Sequence, residues 1–300
     1  MAHVIGEYKN GNTTVVLYDD GTKHRYYPEN VRPYSEFPES IDVNTSYRCD
    51  GGCKFCYQNS TKDGEIADLC SYEKWLDSIH PFTEMALNCN DPSEPSFEKF
   101  LKMCSERNLI ANVTVNQIHF ARHFSTIEKW SKDGLVHGVG ISVNTPTDRL
   151  IEKIKKIKNS VVHTIVGITT PDTYYALADK DIAVLILGYK DIGRGKNFHV
   201  VKNQSVVYNT NWLYRNIDRF VERFKVTSFD NLACKQLNVK RFVPNWDSFY
   251  MGDDGTHTMY VDLVKRTCST SSLSSEEEKI PFTTDTSLTE MFGWVRTDNI

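Results

Sequence analysis

From about Glu39 onward the chain alternates short apolar runs with amphipathic stretches of helical period, which restricts it to parallel strands joined by helices. Strand-length runs fall at Ser40–Val43, Glu84–Leu87, Asn112–Val115, Gly138–Val143, Val161–Ile168 and Ala183–Leu187. Between and after them, residues 96–106 place Phe97, Phe100, Leu101 and Cys104 on one helical face. Residues 147–158 do the same with Leu150, Ile151, Ile154 and Ile157, and residues 211–224 with Trp212, Leu213, Ile217, Phe220, Val221 and Phe224. Six strand–helix units in series fall short of the eight that close a TIM barrel. The expected fold is therefore α/β: a partial (βα)6, TIM-like barrel over residues 38–245, with its site at the C-terminal ends of the strands.

Two smaller regions flank this core. Residues 1–37 read as an N-terminal β-meander and linker. Strands at His3–Tyr8, Thr13–Tyr18 and Lys23–Tyr27 are separated by the turn pairs Asn10-Gly11 and Asp20-Gly21 and followed by Pro28, Pro33 and Pro38. Residues 246–300 read as a C-terminal extension. Within it, the serine- and glutamate-rich segment 269–279 is expected to be a mobile loop and 288–295 a short helix. Asp253 and Asp254 lack the spaced acidic ladder of a calcium loop, so they are assigned to a surface turn.

The chain has 300 residues, 40% of them hydrophobic and 25% charged, with a formal net charge of −4. That balance argues against binding driven by phosphate contacts over a wide surface, so nucleic acid is not indicated as a partner. No apolar run approaches the roughly 20 residues a membrane span needs, and the first residues lack signal-peptide features. A cytoplasmic location is expected, and in that reducing compartment eight cysteines point to metal or redox chemistry or to simple burial rather than to disulfides.

Three of those cysteines share one loop after the first strand of the series. Cys49, Cys53 and Cys56 lie in Tyr47-Arg48-Cys49-Asp50-Gly51-Gly52-Cys53-Lys54-Phe55-Cys56-Tyr57, at spacing C-x3-C-x2-C. Gly51 and Gly52 let the backbone wrap tightly. Cubane [4Fe–4S] clusters normally take four cysteines, so three would leave one iron open for chemistry. Structural zinc is the competing reading, but it usually needs a second pair of ligands, and Cys70 stands alone. Three unrelated core cysteines is the third reading, a poor one for a loop flanked by charge and glycine. Cys104 is assigned to the core, Cys70 and Cys234 to structural positions, and Cys89 lies near the candidate site.

With this motif, its place after the first strand and Phe55 before the last cysteine, the chain resembles the radical S-adenosylmethionine (SAM) superfamily. More loosely, it looks like the short radical SAM proteins of phage genomes. The resemblance implies one [4Fe–4S] cluster on Cys49, Cys53 and Cys56, with SAM chelating the open iron. Reductive cleavage of SAM would give a 5′-deoxyadenosyl radical that abstracts hydrogen from a substrate. The implied partners are SAM, an electron donor such as flavodoxin or ferredoxin, and a substrate that the sequence does not name.

In the superfamily a glycine-rich stretch ends the second strand and binds the SAM amino group. Here Asn88, Cys89, Asn90 and Asp91 stand in its place without glycines, and Asn88, Asn90 and Asp91 are the candidate acceptors. Polar groups at other strand ends complete the candidate cofactor site: Asn116, Ser142, Asn144, and Lys190 or Arg194 as the cation for the SAM carboxylate, with Phe55 beside the cluster. The altered stretch also motivates a rival reading, an iron–sulfur or SAM-binding protein without radical catalysis that acts as a regulator or interaction module. A zinc-bound nucleic-acid module is disfavoured by the charge and by the missing second ligand pair.

Overall fold

The computed structural model describes residues 2–296. The N-terminal meander consists of β1 (Val4–Asn10), β2 (Thr13–Tyr18) and β3 (Lys23–Tyr26), paired antiparallel in that order. Each expected hairpin turn lies where its turn residues stand, and Gly11 and Gly21 adopt positive φ there.

The six expected strands are all present and lie side by side in chain order: β4 (Ser40–Asn44), β5 (Glu84–Asn88), β6 (Ile110–Asn116), β7 (Gly138–Ser142), β8 (Ser160–Ile165) and β9 (Ala183–Leu187). Each pairs parallel with the next. Two further parallel strands, unforeseen from the sequence, flank them. β10 (Val226–Phe229) adds to β9, and β11 (Thr258–Asp262) adds to β4 at the other side. The antiparallel strands β12 (Thr267–Ser269) and β13 (Ile280–Pro281) then finish that edge. Residues after 245 thus build part of the main sheet. Neither parallel addition carries a long apolar run: β10 is Val-Thr-Ser-Phe, and β11 is recognisable only by its partner across the fold.

The connecting helices are α1 (Glu73–Leu76), α2 (Pro95–Glu106), α3 (Gln117–Arg122), α4 (Phe124–Lys132), α5 (Asp148–Lys155) and α6 (Pro171–Leu177). They are followed by α7 (Arg194–Val201), α8 (Asn203–Phe220), α9 (Asn231–Leu237), α10 (Trp246–Phe249) and α11 (Leu288–Val295). Several start on a side-chain cap, as Thr147 does for α5 and Ser287 for α11, satisfying a backbone N–H that would otherwise lack a partner. The helix expected from Asn211 begins earlier, at Asn203. The eighth strand ends at Ile165 rather than Ile168, because Thr169 Oγ1 accepts from the Ile165 N–H and Gly167 turns the chain at positive φ. The segment expected to be a mobile loop contains a turn of 3-10 helix, Glu276–Glu278, closed by a reciprocal Ser275–Glu278 capping box.

Strand alternation divides the sheet into two unlike faces. Ile41, Val43, Met85, Leu87, Val113, Val115, Val139, Ile141, Val162, Val184 and Ile186 are buried in the apolar core. From β4 to β7 the alternate positions are small or polar, namely Asp42, Asn44, Ala86, Asn88, Asn112, Thr114, Gly138, Gly140 and Ser142, while β8 and β9 add His163 and the aliphatic Ile165, Leu185 and Leu187. Cavities open along this face.

Buried charge fastens the meander to the sheet. Arg25 Nη2 contacts Glu39 Oε2 at 2.5 Å, and Lys23 Nζ reaches Glu84 Oε2 at 2.6 Å and Glu39 Oε2 at 3.7 Å. The Glu39 side chain is 1% exposed.

Candidate cofactor site at the strand C-termini

The cysteine loop is a pinned excursion between β4 and α1. Tyr47 N–H donates to the Glu65 carbonyl at 2.8 Å, Thr61 N–H to the Tyr47 carbonyl at 3.0 Å and Cys49 N–H to the Thr61 carbonyl at 2.7 Å, so the outgoing and returning backbones hold each other. Within it, Cys56 N–H donates to the Cys53 carbonyl at 3.2 Å. A Cβ at Gly51 would meet Asn116 Nδ2 and crowd Cys49 Sγ, so a side chain there would displace that amide. The loop of Gly193 approaches equally closely: its φ is +56°, a Cβ would meet the Tyr57 carbonyl, and the next N–H, of Arg194, donates to the Cys56 carbonyl at 3.1 Å.

Side chains add a second layer of support. Arg194 donates from Nε to the Cys53 carbonyl at 3.1 Å and from Nη1 to the Ser60 carbonyl at 2.9 Å. Asp50 pairs with the buried His119 of α3 and with Arg122 Nη1 at 2.8 Å. Hydrogen bonds from those two side chains hold its carboxyl at about 2, well below the usual carboxylate range.

Cys49, Cys53 and Cys56 are free and half-buried. They border one cavity of about 370 Å³ together with Phe55, Asn88, Asn90, Asn116, Ser142, Asn144, Lys190 and Arg194. Asp91 is not on that wall: its Oδ1 accepts from the Ser93 N–H and hydroxyl, closing a turn outside the cavity. Burial pushes the Cys49 and Cys53 thiols up; the neighbouring Cys56 adds to this, and Arg194 opposes it. Mutually crowded soft donors of this kind suit an iron–sulfur centre. Among the described residues no group of three His, Cys, Asp or Glu converges as the ligands of a single ion would. A cubane takes its thiolates on separate irons.

The candidate polar residues differ in how free they are. Asn88 is fully engaged. Its Oδ1 accepts from Thr45 N–H and Oγ1, and its Nδ2 donates to Asn44 Oδ1 and the Ser46 carbonyl. Asn116 caps α3, accepting from Ile118 and His119 N–H. Asn90 gives Nδ2 to the Ser46 carbonyl and keeps its Oδ1. The Ser142 and Asn144 side chains make no hydrogen bond to a described residue. Lys190 Nζ donates to Ser272 Oγ at 2.7 Å and sits 4.2 Å from the centre of the Tyr57 ring. Phe55 meets Phe198 of α7 edge-on, with ring centres 5.9 Å apart.

Several wall residues were not singled out from the sequence: Asp42, Tyr57, Gln58 and Tyr260. The usable signal for Asp42 was the period of two in Ser40-Ile41-Asp42-Val43-Asn44, which puts a carboxylate opposite the buried Ile41 and Val43. Tyr260 carried no such signal, because its strand becomes part of the wall only through pairing with β4.

Fold and site together define an α/β protein with a large, mostly parallel sheet and a cysteine loop at the strand C-termini; the fold is shared with a structurally known SAM-binding protein. That protein is SuiB of Streptococcus suis. Its SAM-bound structure matches with a TM-score of 0.56 at 14% identity, covering 83% of this chain and 64% of SuiB. SuiB bound to the precursor peptide SuiA matches with a TM-score of 0.56 at 15% identity, covering 88% of this chain and 68% of SuiB. The chain therefore spans about two thirds of SuiB's length, and at this identity the likeness is one of fold. No protein-family model matches the sequence, and no curated protein matches it. No helix among the described residues is long and apolar enough to cross a membrane.

Proposed function

We propose that this chain is a radical SAM enzyme in which Cys49, Cys53 and Cys56 hold one [4Fe–4S] cluster and SAM occupies the adjoining cavity. One observation carries the reading: three free thiols from a single braced loop border a cavity at the C-terminal ends of parallel strands. The fold shared with SAM-bound SuiB supports it. When bound, the two groups together supply one-electron cleavage of a sulfonium and a carbon radical that removes hydrogen from a substrate.

The chain's own residues have distinct tasks in this reading. Arg194, Asp50 and the Gly51–Asn116 contact fix the loop. Asn90 Oδ1, Ser142 and Asn144 offer polar groups to SAM, and Lys190 offers the cation for its carboxylate. Leu185, Leu187 and Ile165 line the remaining wall and exclude water from a reactive centre. We read the sheet as a partial barrel. Side chains from β11 and from β4 through β9 border this one cavity, whereas seven strands laid flat would span about 29 Å. An electron donor such as flavodoxin or ferredoxin completes the set of partners.

The test is direct. Anaerobically reconstituted protein is expected to hold about four irons and, when reduced with SAM present, to release 5′-deoxyadenosine. Iron and SAM binding without 5′-deoxyadenosine would favour the rival reading, a cluster- or SAM-binding regulator, which the loss of the glycines around Asn88 motivates. Failure to take up iron and sulfide together with failure to bind SAM would reject both.

A further inference from the structure

The charged groups on the cavity wall are unequally engaged. Arg194 commits its guanidinium to the Cys53 and Ser60 carbonyls, and Lys190 donates to Ser272 and lies over Tyr57. Asp42, the one carboxylate among the described lining residues, makes no hydrogen bond and no ion-pair contact with any described residue.

Asp42 lies on β4 two residues before Asn44, about 7 Å from the strand's end toward its middle. Its register partners are Ala86 on β5 and Tyr260 on β11. The methyl group of Ala86 leaves room beside the carboxylate. Asp42 is exposed into the cavity, where the surrounding protein desolvates its carboxyl and pushes it above the usual range, against the pull of Lys190.

The surrounding charges leave a negative excess. Asp230 and Asp254 face the same region, but both are satisfied: Asp230 accepts from Gly188 and Ala233 N–H, and Asp254 accepts from Asn231. Lys190 thus stands against three carboxylates. His163, also on the wall, adds no compensating charge. Burial lowers it to about 4, and its Nδ1 is enclosed without a partner. A carboxylate on a cavity wall that no described side chain pairs is open to a ligand that brings a cation.

We propose that Asp42 anchors a positively charged nitrogen, an amine or a guanidinium, on the substrate that enters this cavity. This rests on the reading of the cavity as a SAM site: with the cofactor held against the cysteine loop, the recess around Asp42 and Ala86 is left for the substrate.

Three probes of one shape test it: phenethylammonium, 2-phenylethanol and 3-phenylpropanoate. Their binding to reconstituted protein is measured by ligand-observed NMR, with and without SAM. The ammonium is expected to bind roughly tenfold or more tighter than the alcohol, and the carboxylate least. Asp42→Asn should abolish that preference while keeping wild-type iron content and SAM affinity; Asp42→Ser serves if the amide disturbs the strand. Equal binding of the three probes, or a preference that survives in both variants, would overturn the proposal. A fall in SAM affinity in the variants would overturn it too, by assigning the carboxylate to the cofactor. Failure of the wild type to bind SAM would count against the functional reading alone, since the probe series without SAM still reports on Asp42.

Discussion

Arg194 Nε and the Cys53 carbonyl are joined by a 3.1 Å hydrogen bond, while Nη1 of the same guanidinium reaches the Ser60 carbonyl at 2.9 Å. One planar side chain therefore ties the middle of the cysteine loop to its exit. Arg194→Ala should lose hydrogen bonds from a charged donor worth about 1.5–3 kcal/mol each, and reconstitute with less iron per chain. Arg194→Lys should recover little, because a single ammonium does not reproduce the two-pronged geometry. Iron content and thermal midpoints of the two variants check this.

Cys49→Ala, Cys53→Ala and Cys56→Ala should each abolish the visible absorption of reconstituted protein. Cys104→Ala should keep it, since that thiol lies in the apolar core against Met85. Absorption that persists in all three loop variants would reject the ligand assignment.

Lys190 is the candidate cation for the SAM carboxylate. Lys190→Ala should weaken SAM binding roughly 30-fold or more in calorimetric titration of reconstituted protein. Wild-type affinity in that variant would remove Lys190 from the cofactor site.

The Arg25–Glu39–Lys23 cluster couples the meander to the sheet. Glu39→Gln leaves Arg25 without its carboxylate in a buried setting, while Lys23 keeps Glu84, and should destabilise the protein by about 3–5 kcal/mol. Urea denaturation measures it. A change under 1 kcal/mol would mean that the meander is held by its apolar contacts instead.

How much of this was legible in the sequence follows from what each residue touches. The helix-covered face of the sheet announced itself, since Ile41, Val43, Met85 and Leu87 are apolar for local reasons. The cysteine loop was equally plain. The wall of the cavity was only partly so: Asn116 and Ser142 stand out at strand ends, while Asp42 is visible only when alternation is followed residue by residue. Tyr260 and Ser272 come from segments whose place is set by pairing across the fold, which no local pattern encodes. Asp91 was misplaced on chemistry alone, because an aspartate two residues before a serine closes a turn on itself as readily as it faces a ligand.

His163 gives the protein an acid-sensitive core. Its folded pKa of about 4 lies below the unfolded value of about 6.5, so the unfolded chain takes up the proton first. The stability contributed by the neutral ring is complete above about pH 6.5 and is lost as pH falls toward 4, up to about 3 kcal/mol. His163→Gln should flatten the pH dependence of the urea midpoint across that interval. Parallel profiles for wild type and variant would show that other groups govern acid unfolding.

The pairing of β4 with β11 joins segments far apart in the chain. Asn44 and Asp262 hydrogen-bond across 218 positions of sequence, and Tyr47, at the entrance to the cysteine loop, donates to the same Asp262 carboxylate. Until residue 262 has emerged, β4 carries a bare edge and the loop lacks that brace. A chain stopped before β11 would expose an unpaired strand beside three free thiols, the combination most prone to edge-to-edge association and oxidation. The strand that covers the edge of β4 is therefore also the one that braces the cysteine loop.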